Sequence, residues 1–114
     1  MRVFDYKLLT NGDMSGNINS PAQQLVQMQI ASIQATFSGS PVGSLKLQIT
    51  NDDPHIVGAA NVIWSDYSGS TTTVSGSGNF LWNLLSNGYN FVRVVYTFSS
   101  GTGSLNITAS GKGP

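Results

Sequence analysis

No cysteine occurs in this 114-residue chain. Disulfide frameworks and thiolate metal sites are therefore excluded. No glutamate occurs either; the acids are Asp5, Asp13, Asp52, Asp53 and Asp66. The bases are Arg2, Lys7, Lys46, Arg93 and Lys112, so charged residues make up 9% of the chain and formal net charge is zero. An average chain carries about a quarter. Nucleic-acid binding needs clustered Lys and Arg to displace phosphate counterions, and these five bases are scattered. No apolar run approaches the length that spans a bilayer as a helix. The opening Met1-Arg2-Val3-Phe4-Asp5-Tyr6-Lys7 is interrupted by charge and does not read as a signal peptide. Synthesis in a cytoplasm is expected.

Little charge leaves solubility to Ser, Thr, Asn, Gln and Gly, close to half of the residues. Zero net charge gives little self-repulsion and favours association with other protein. The length suits one domain with its own core.

What fills the chain is alternation with a period of two. Leu45, Leu47 and Ile49 face one way, and Lys46, Gln48 and Thr50 the other. Leu105, Ile107 and Ala109 repeat the scheme against Asn106 and Thr108, as Ile33, Ala35 and Phe37 do earlier. These are half-buried strands. Phe91 to Phe98 is apolar on both faces and predicts a central strand covered on both sides, with Val92, Val94 and Tyr96 sharing a face. Weaker strands are expected at Val3–Leu9, Gln24–Ile30, Asn61–Trp64, Thr71–Ser75 and Asn79–Leu84. The stretch from Pro21 to Ala35 is also compatible with a helix.

Asn11-Gly12 and Asn87-Gly88 predict turns, because both residue types tolerate positive φ. Segments 38–43 and 99–103 predict hairpin loops. The expected fold is all-β: an antiparallel two-sheet sandwich of jelly-roll type with about eight strands. Residues 1–20 form an N-terminal strand or arm available for inter-subunit contact, 21–110 the sandwich, and 111–114 a loose tail.

Candidates for chemistry are few. His55 is the lone histidine, beside Asp52 and Asp53. Those two carboxylates are the best candidates for a weak Ca²⁺ site, since hard cations take loop carboxylates and carbonyls; an exposed loop histidine beside a turn is the plainer account of His55. No nucleophile-elbow pattern surrounds any serine, and no spacing singles out a carboxylate pair. Catalysis and cofactors are not expected. Trp64 and Tyr67, next to a loop, are the candidate ligand surface, while Trp82 and Phe80 share a face with Leu84 and read as core. Arg93, in the most apolar strand, needs a partner such as Asp66 or Asp52, or an edge to which its stem can reach.

Several motifs combine into a resemblance. They are Gly-Ser-Leu-Lys-Leu-Gln-Ile-Thr-Asn-Asp at 43–52, Trp-Ser-Asp at 64–66 and Gly-Ser-Gly-Asn-Phe-Leu-Trp-Asn-Leu at 76–84. Gly-Tyr-Asn-Phe-Val-Arg-Val-Val-Tyr-Thr at 88–97 and Ser-Gly-Thr-Gly-Ser-Leu-Asn-Ile at 100–107 follow. Across residues 28 to 112 the chain resembles small β-sandwich proteins encoded in bacteriophage genomes. The layout is similar, more remotely, to discoidin-like or galactose-binding-like jelly rolls. Those carry Gly after the Asp; this chain has Asp53-Pro54-His55 and then Ile56 to Ala60, so no sugar-binding residues carry over. The resemblance implies a virion structural protein: a capsid decoration, spike or fibre-type subunit, homo-oligomeric, most simply a trimer, contacting other virion proteins. The alternative partner is a host surface glycan, bound by a carbohydrate-binding module or a receptor-binding tip.

Overall fold

A computed structural model describes residues 2–25, 30–84 and 90–113. Ten antiparallel strands make two sheets packed as a sandwich. In chain order these are β1 (Arg2–Asp13), β2 (Ile18–Asn19), β3 (Gln23–Gln24), β4 (Ile30–Gly39), β5 (Val42–Thr50), β6 (Ser65–Asp66), β7 (Thr72–Ser75), β8 (Gly78–Leu84), β9 (Phe91–Ser100) and β10 (Gly103–Gly113). One helical turn, α1 (Pro54–Val57), and a 3-10 turn at Ala59–Asn61 lie between β5 and β6. The first sheet runs β1-β10-β4-β8. In the second, β9 and β5 lie at the centre, with the short β2 and β3 along β9 and the short β6 and β7 along β5.

The core follows from the alternation. Ile33, Ala35 and Phe37 of β4, Leu105, Ile107 and Ala109 of β10, and Trp82 and Leu84 of β8 point inward from the first sheet. Leu45, Leu47 and Ile49 of β5, Val92, Val94 and Tyr96 of β9, and Val74 of β7 answer from the second. Strand β9 seals the core with one face only. On its other face Phe91 is buried while Arg93 and Val95 are half-buried, so the expected double cover is partial.

The two expected hairpin loops are instead corners between sheets. Strand β4 pairs with β10 in one sheet, and β5 pairs with β9 in the other. The chain therefore bends twice side by side, at 39–42 and at 100–103, and carries one two-stranded ribbon over the edge of the sandwich. Ser40 N–H donates to the Thr102 carbonyl between the two bends. Gly101 has φ 82°, and a Cβ there would collide with the Ser40 carbonyl, so the crossing demands glycine.

Other expectations change as well. Residues 2–20 do not form a separate arm: β1 pairs with β10 along its length, and Leu8 and Met14 are core residues. Of the expected tail, residues 111–113 belong to β10, which runs to Gly113 opposite Arg2, and Pro114 lies outside the described residues. Asn11-Gly12 lies inside β1. Register shifts between Lys7 and Leu9 and between Leu9 and Gly12 mark two bulges, and Asn11 supplies φ 54° at the second. The first bulge lets the neighbours Leu8 and Leu9 both reach the core. Segment 61–64 is not a strand, because side chains satisfy the backbone of Ile63: its N–H meets Asp52 Oδ2 at 2.8 Å and its carbonyl accepts from Thr50 Oγ1 at 2.8 Å. Only Gln23–Gln24 and Ile30 belong to strands near the expected Gln24–Ile30 strand; residues 26–29, and the Asn87-Gly88 turn, lie outside the described residues.

Two buried serines repair the broken edges of the second sheet. Pro21 has no N–H and parts β2 from β3; at that break Ser20 Oγ accepts the Val94 N–H at 2.8 Å. Between β6 and β7, Ser70 Oγ accepts the Leu47 N–H at 3.0 Å. Leu47 and Val94 are register partners, so the two hydroxyls stand at opposite ends of one row. Replacing Ser70 by Ala orphans the buried Leu47 N–H. Urea denaturation should show Ser70→Ala losing about 1–3 kcal/mol, with the exposed Ser75→Ala within about 0.5 kcal/mol of the parent. Equal, small losses would mean that the row bears no load.

Candidate functional site

Inward alternation leaves Lys46 and Gln48 of β5 and Arg93 of β9 on the outer face of the second sheet. Register does the rest. Gln48 is opposite Arg93 on one side and Asp66 on the other, so three polar side chains stand in one row across β9, β5 and β6. Gln48 works as a relay between opposite charges. Its Oε1 accepts from Arg93 Nε at 2.8 Å and Nη2 at 2.6 Å, and its Nε2 donates to Asp66 Oδ1 at 2.9 Å. Lys46 Nζ closes the group on Asp66 Oδ2 at 3.1 Å. The Arg93 guanidinium carbon also lies 4.5 Å from the centre of the Trp64 ring, a cation–π stack. The expected partner of Arg93 is thus reached at second hand: Gln48, not a carboxylate, touches the guanidinium, and Asp66 holds Gln48.

Trp64 gives one ring face to Arg93, and Tyr67 leans on the core while its N–H donates to the Leu47 carbonyl. Asp52 and Asp53 serve the β5–β6 loop: Asp52 Oδ2 holds the Ile63 N–H, and the Asp53 carbonyl accepts from Ile56 and Val57. Among the described residues, no three His, Cys, Asp or Glu side chains come together as a metal would require. The side chain of His55 lies outside what is described.

Two features were not singled out from sequence. Gln48 is the hub of the polar row, and its alternation with Lys46 gave only its face. Ile56 and Ile63, 82% and 76% exposed, are apolar side chains on the β5–β6 loop. Within the segment expected to make inter-subunit contact, Asp5, Tyr6 and Lys7 are all exposed on β1.

No protein-family model matches the chain, and no curated protein matches it in sequence. Solved structures share its fold. The SPBc2 prophage-derived protein YomS superposes with a TM-score of 0.61 at 11% identity, covering 96% of this chain and 93% of that one. A chain in the structure of infectious bursal disease virus, Gt strain, gives 0.55 at 12% identity, with 96% of this chain covered but 31% of that one. The Gx strain gives 0.51 at 11% identity, with 96% and 31% covered. At these identities the likeness is one of fold.

Two carboxylates are held below their ordinary value of 3.8: Asp66 by the Gln48 amide and then by Lys46, and Asp13 by the Ser15 hydroxyl and N–H. A lowered folded-state value adds stability that is complete above the ordinary range and is lost as pH falls through the folded value. Asp66→Asn should therefore be less stable than the parent at neutral pH, and the difference should shrink from about pH 5 downward and vanish once Asp66 is protonated in both states. Urea midpoints measured against pH check this; a constant difference across the acid range would contradict it.

Proposed function

We propose that the chain is a structural subunit of a bacteriophage particle, of capsid-decoration, spike or fibre type. It is made in the host cytoplasm, joins copies of itself and other virion proteins in fixed ratio, and catalyses nothing. The observation that carries this reading is the outer edge of β1. This 12-residue strand bonds to β10 on one side and, among the described residues, to no strand on the other. A long open edge is a template for another chain's strand. Zero net charge removes the long-range repulsion that would keep copies apart. The fold shared with a prophage-derived protein over nearly the whole of both chains supports a phage setting.

Peptide mass spectrometry of particles purified from the phage whose genome carries this chain should find it in fixed ratio to a major virion protein. Particles of normal composition and yield that lack it would sink the proposal.

One observation favours a second reading. Trp64, half-exposed, stands beside the polar row of Arg93, Gln48 and Asp66, and aromatic rings with planar polar groups suit sugar rings. On a glycan array, binding lost in both Trp64→Ala and Arg93→Ala would support glycan recognition; silence from the parent protein would end it.

A further inference from the structure

The outer face of β1 carries opposite charges two residues apart, Asp5 and Lys7, with Tyr6 between them. All three are exposed, Tyr6 to 42%. Among the described residues, the side chains of Asp5 and Lys7 make no hydrogen bond or ion pair, whereas those of Lys46, Asp66, Arg93, Asp13 and Asp52 all do. Both bulges come after Lys7, so Arg2 to Lys7 keeps regular pairing with β10 and presents a straight outer edge. An open depression of about 360 Å³, lined by Asp5, Tyr6, Lys7, Thr108, Ala109 and Ser110, lies over the same stretch.

We propose that β1 pairs antiparallel with β1 of a second copy, with Tyr6 of both chains on the two-fold axis. This deepens the assembly reading by naming one partner, a copy of the chain itself. In that register Asp5 stands directly opposite Lys7 of the second copy, and Lys7 opposite Asp5, so one contact makes two identical ion pairs. Residues directly opposite in an antiparallel pair have Cβ atoms about 4.5–5.5 Å apart, within reach of such a bridge. The charges also select the register. Sliding one strand by two residues sets Asp5 against Asp5, or Lys7 against Lys7. Sliding by one joins the outer face of one sheet to the inner face of the other. Tyr6 meets Tyr6 at the axis, and Tyr6 itself lines the open depression. The two four-stranded sheets become one of eight strands, and the contact is closed by its own symmetry. Lysines of one sign would guard this edge against pairing; a self-complementary Asp–Tyr–Lys invites it.

The two-fold contact takes the place of the trimer expected from the phage resemblance. Masses of the purified full chain should fit a monomer–dimer equilibrium by analytical ultracentrifugation. Asp5→Lys sets lysine against lysine twice per contact and should raise the dissociation constant about ten-fold or more. The double swap Asp5→Lys with Lys7→Asp rebuilds both pairs in reverse and should restore the parent value. In the parent protein, amide exchange across Arg2–Lys7 should slow as concentration rises; this needs no variant. A monomer up to millimolar concentration overturns the proposal. So do a trimer, a single swap without effect, a double swap that fails to restore, and exchange at β1 independent of concentration. Failure here is separable from failure of the virion reading: a dimer absent from particles sinks only the latter, and a virion component with no β1 pairing sinks only the former.

Discussion

Hydrogen bonds run outward from one facing pair, Leu47 and Val94, and one branch ties the two sheets together. On the β9 side the Ser20 hydroxyl takes the Val94 N–H. Ser70 takes the Leu47 N–H. Its carbonyl accepts the Trp82 indole N–H at 2.7 Å, and Trp82 stands on β8 of the other sheet. Leu47 and Val94 turn their N–H groups away from each other, toward edges where no continuous strand exists. Buried N–H groups without partners would cost about 1–3 kcal/mol each. A hydroxyl at each end lets short, broken strands flank a sheet whose centre remains fully bonded. The indole bond then fixes β8 against the same turn, and the T-shaped contact of Phe80 with Trp82, at 5.1 Å between ring centres, covers it from outside.

The bent ribbon is the second constraint, and it sets what each face can do. Because β4 becomes β5 and β9 becomes β10 at one corner, the core-facing residues of all four strands stay on the inside through the bend. That leaves Lys46, Gln48 and Arg93 together outside. A glutamine between a cation and an anion spans a gap that neither charged side chain closes directly. Arg93 then lays its plane on Trp64, and the β5–β6 loop is held down by that stack and by the two bonds to Ile63.

Alternation was enough to read the interior: Leu45, Leu47 and Ile49, Val92, Val94 and Tyr96, and Leu105, Ile107 and Ala109 all point inward as their spacing dictates. Connectivity was not legible in the same way. A Gly-Ser-Pro loop that reverses within a sheet and one that changes sheets have the same composition, and the difference rests on which strands pair far along the chain. Asn11-Gly12 shows the same limit, since a residue that tolerates positive φ serves a bulge as well as a turn. Nothing in the spacing of Ser20 and Ser70 marks them as buried, because their burial depends on the strands beside them. On the surface, Arg93 stood out as a charge in an apolar strand, but its partner required the register of β5 against β9. Trp64 was picked out as a ligand surface by its place beside a loop, and its stack on Arg93 emerges only in three dimensions.

A chain with so few charges reveals the purpose of each by where its partner lies. Asp66 and Lys46 meet each other, Arg93 meets Gln48 and Trp64, Asp13 meets Ser15, and Asp52 meets the Ile63 N–H. Each is satisfied within the fold. The side chains of Asp5 and Lys7 share a face, differ in sign and make no hydrogen bond or ion pair among the described residues. On a strand paired on both sides, such a couple would be an ordinary solvated surface. On an open edge, directly opposite positions belong to whatever strand arrives next, and a copy of the same strand run backward brings the opposite charge to each. The low charge elsewhere strengthens this selectivity, because no strong net field stands against the approach of a second copy and two local pairs suffice to fix the register. In the proposed pairing, the neutrality first met as an absence is what lets a single open edge act as an interface.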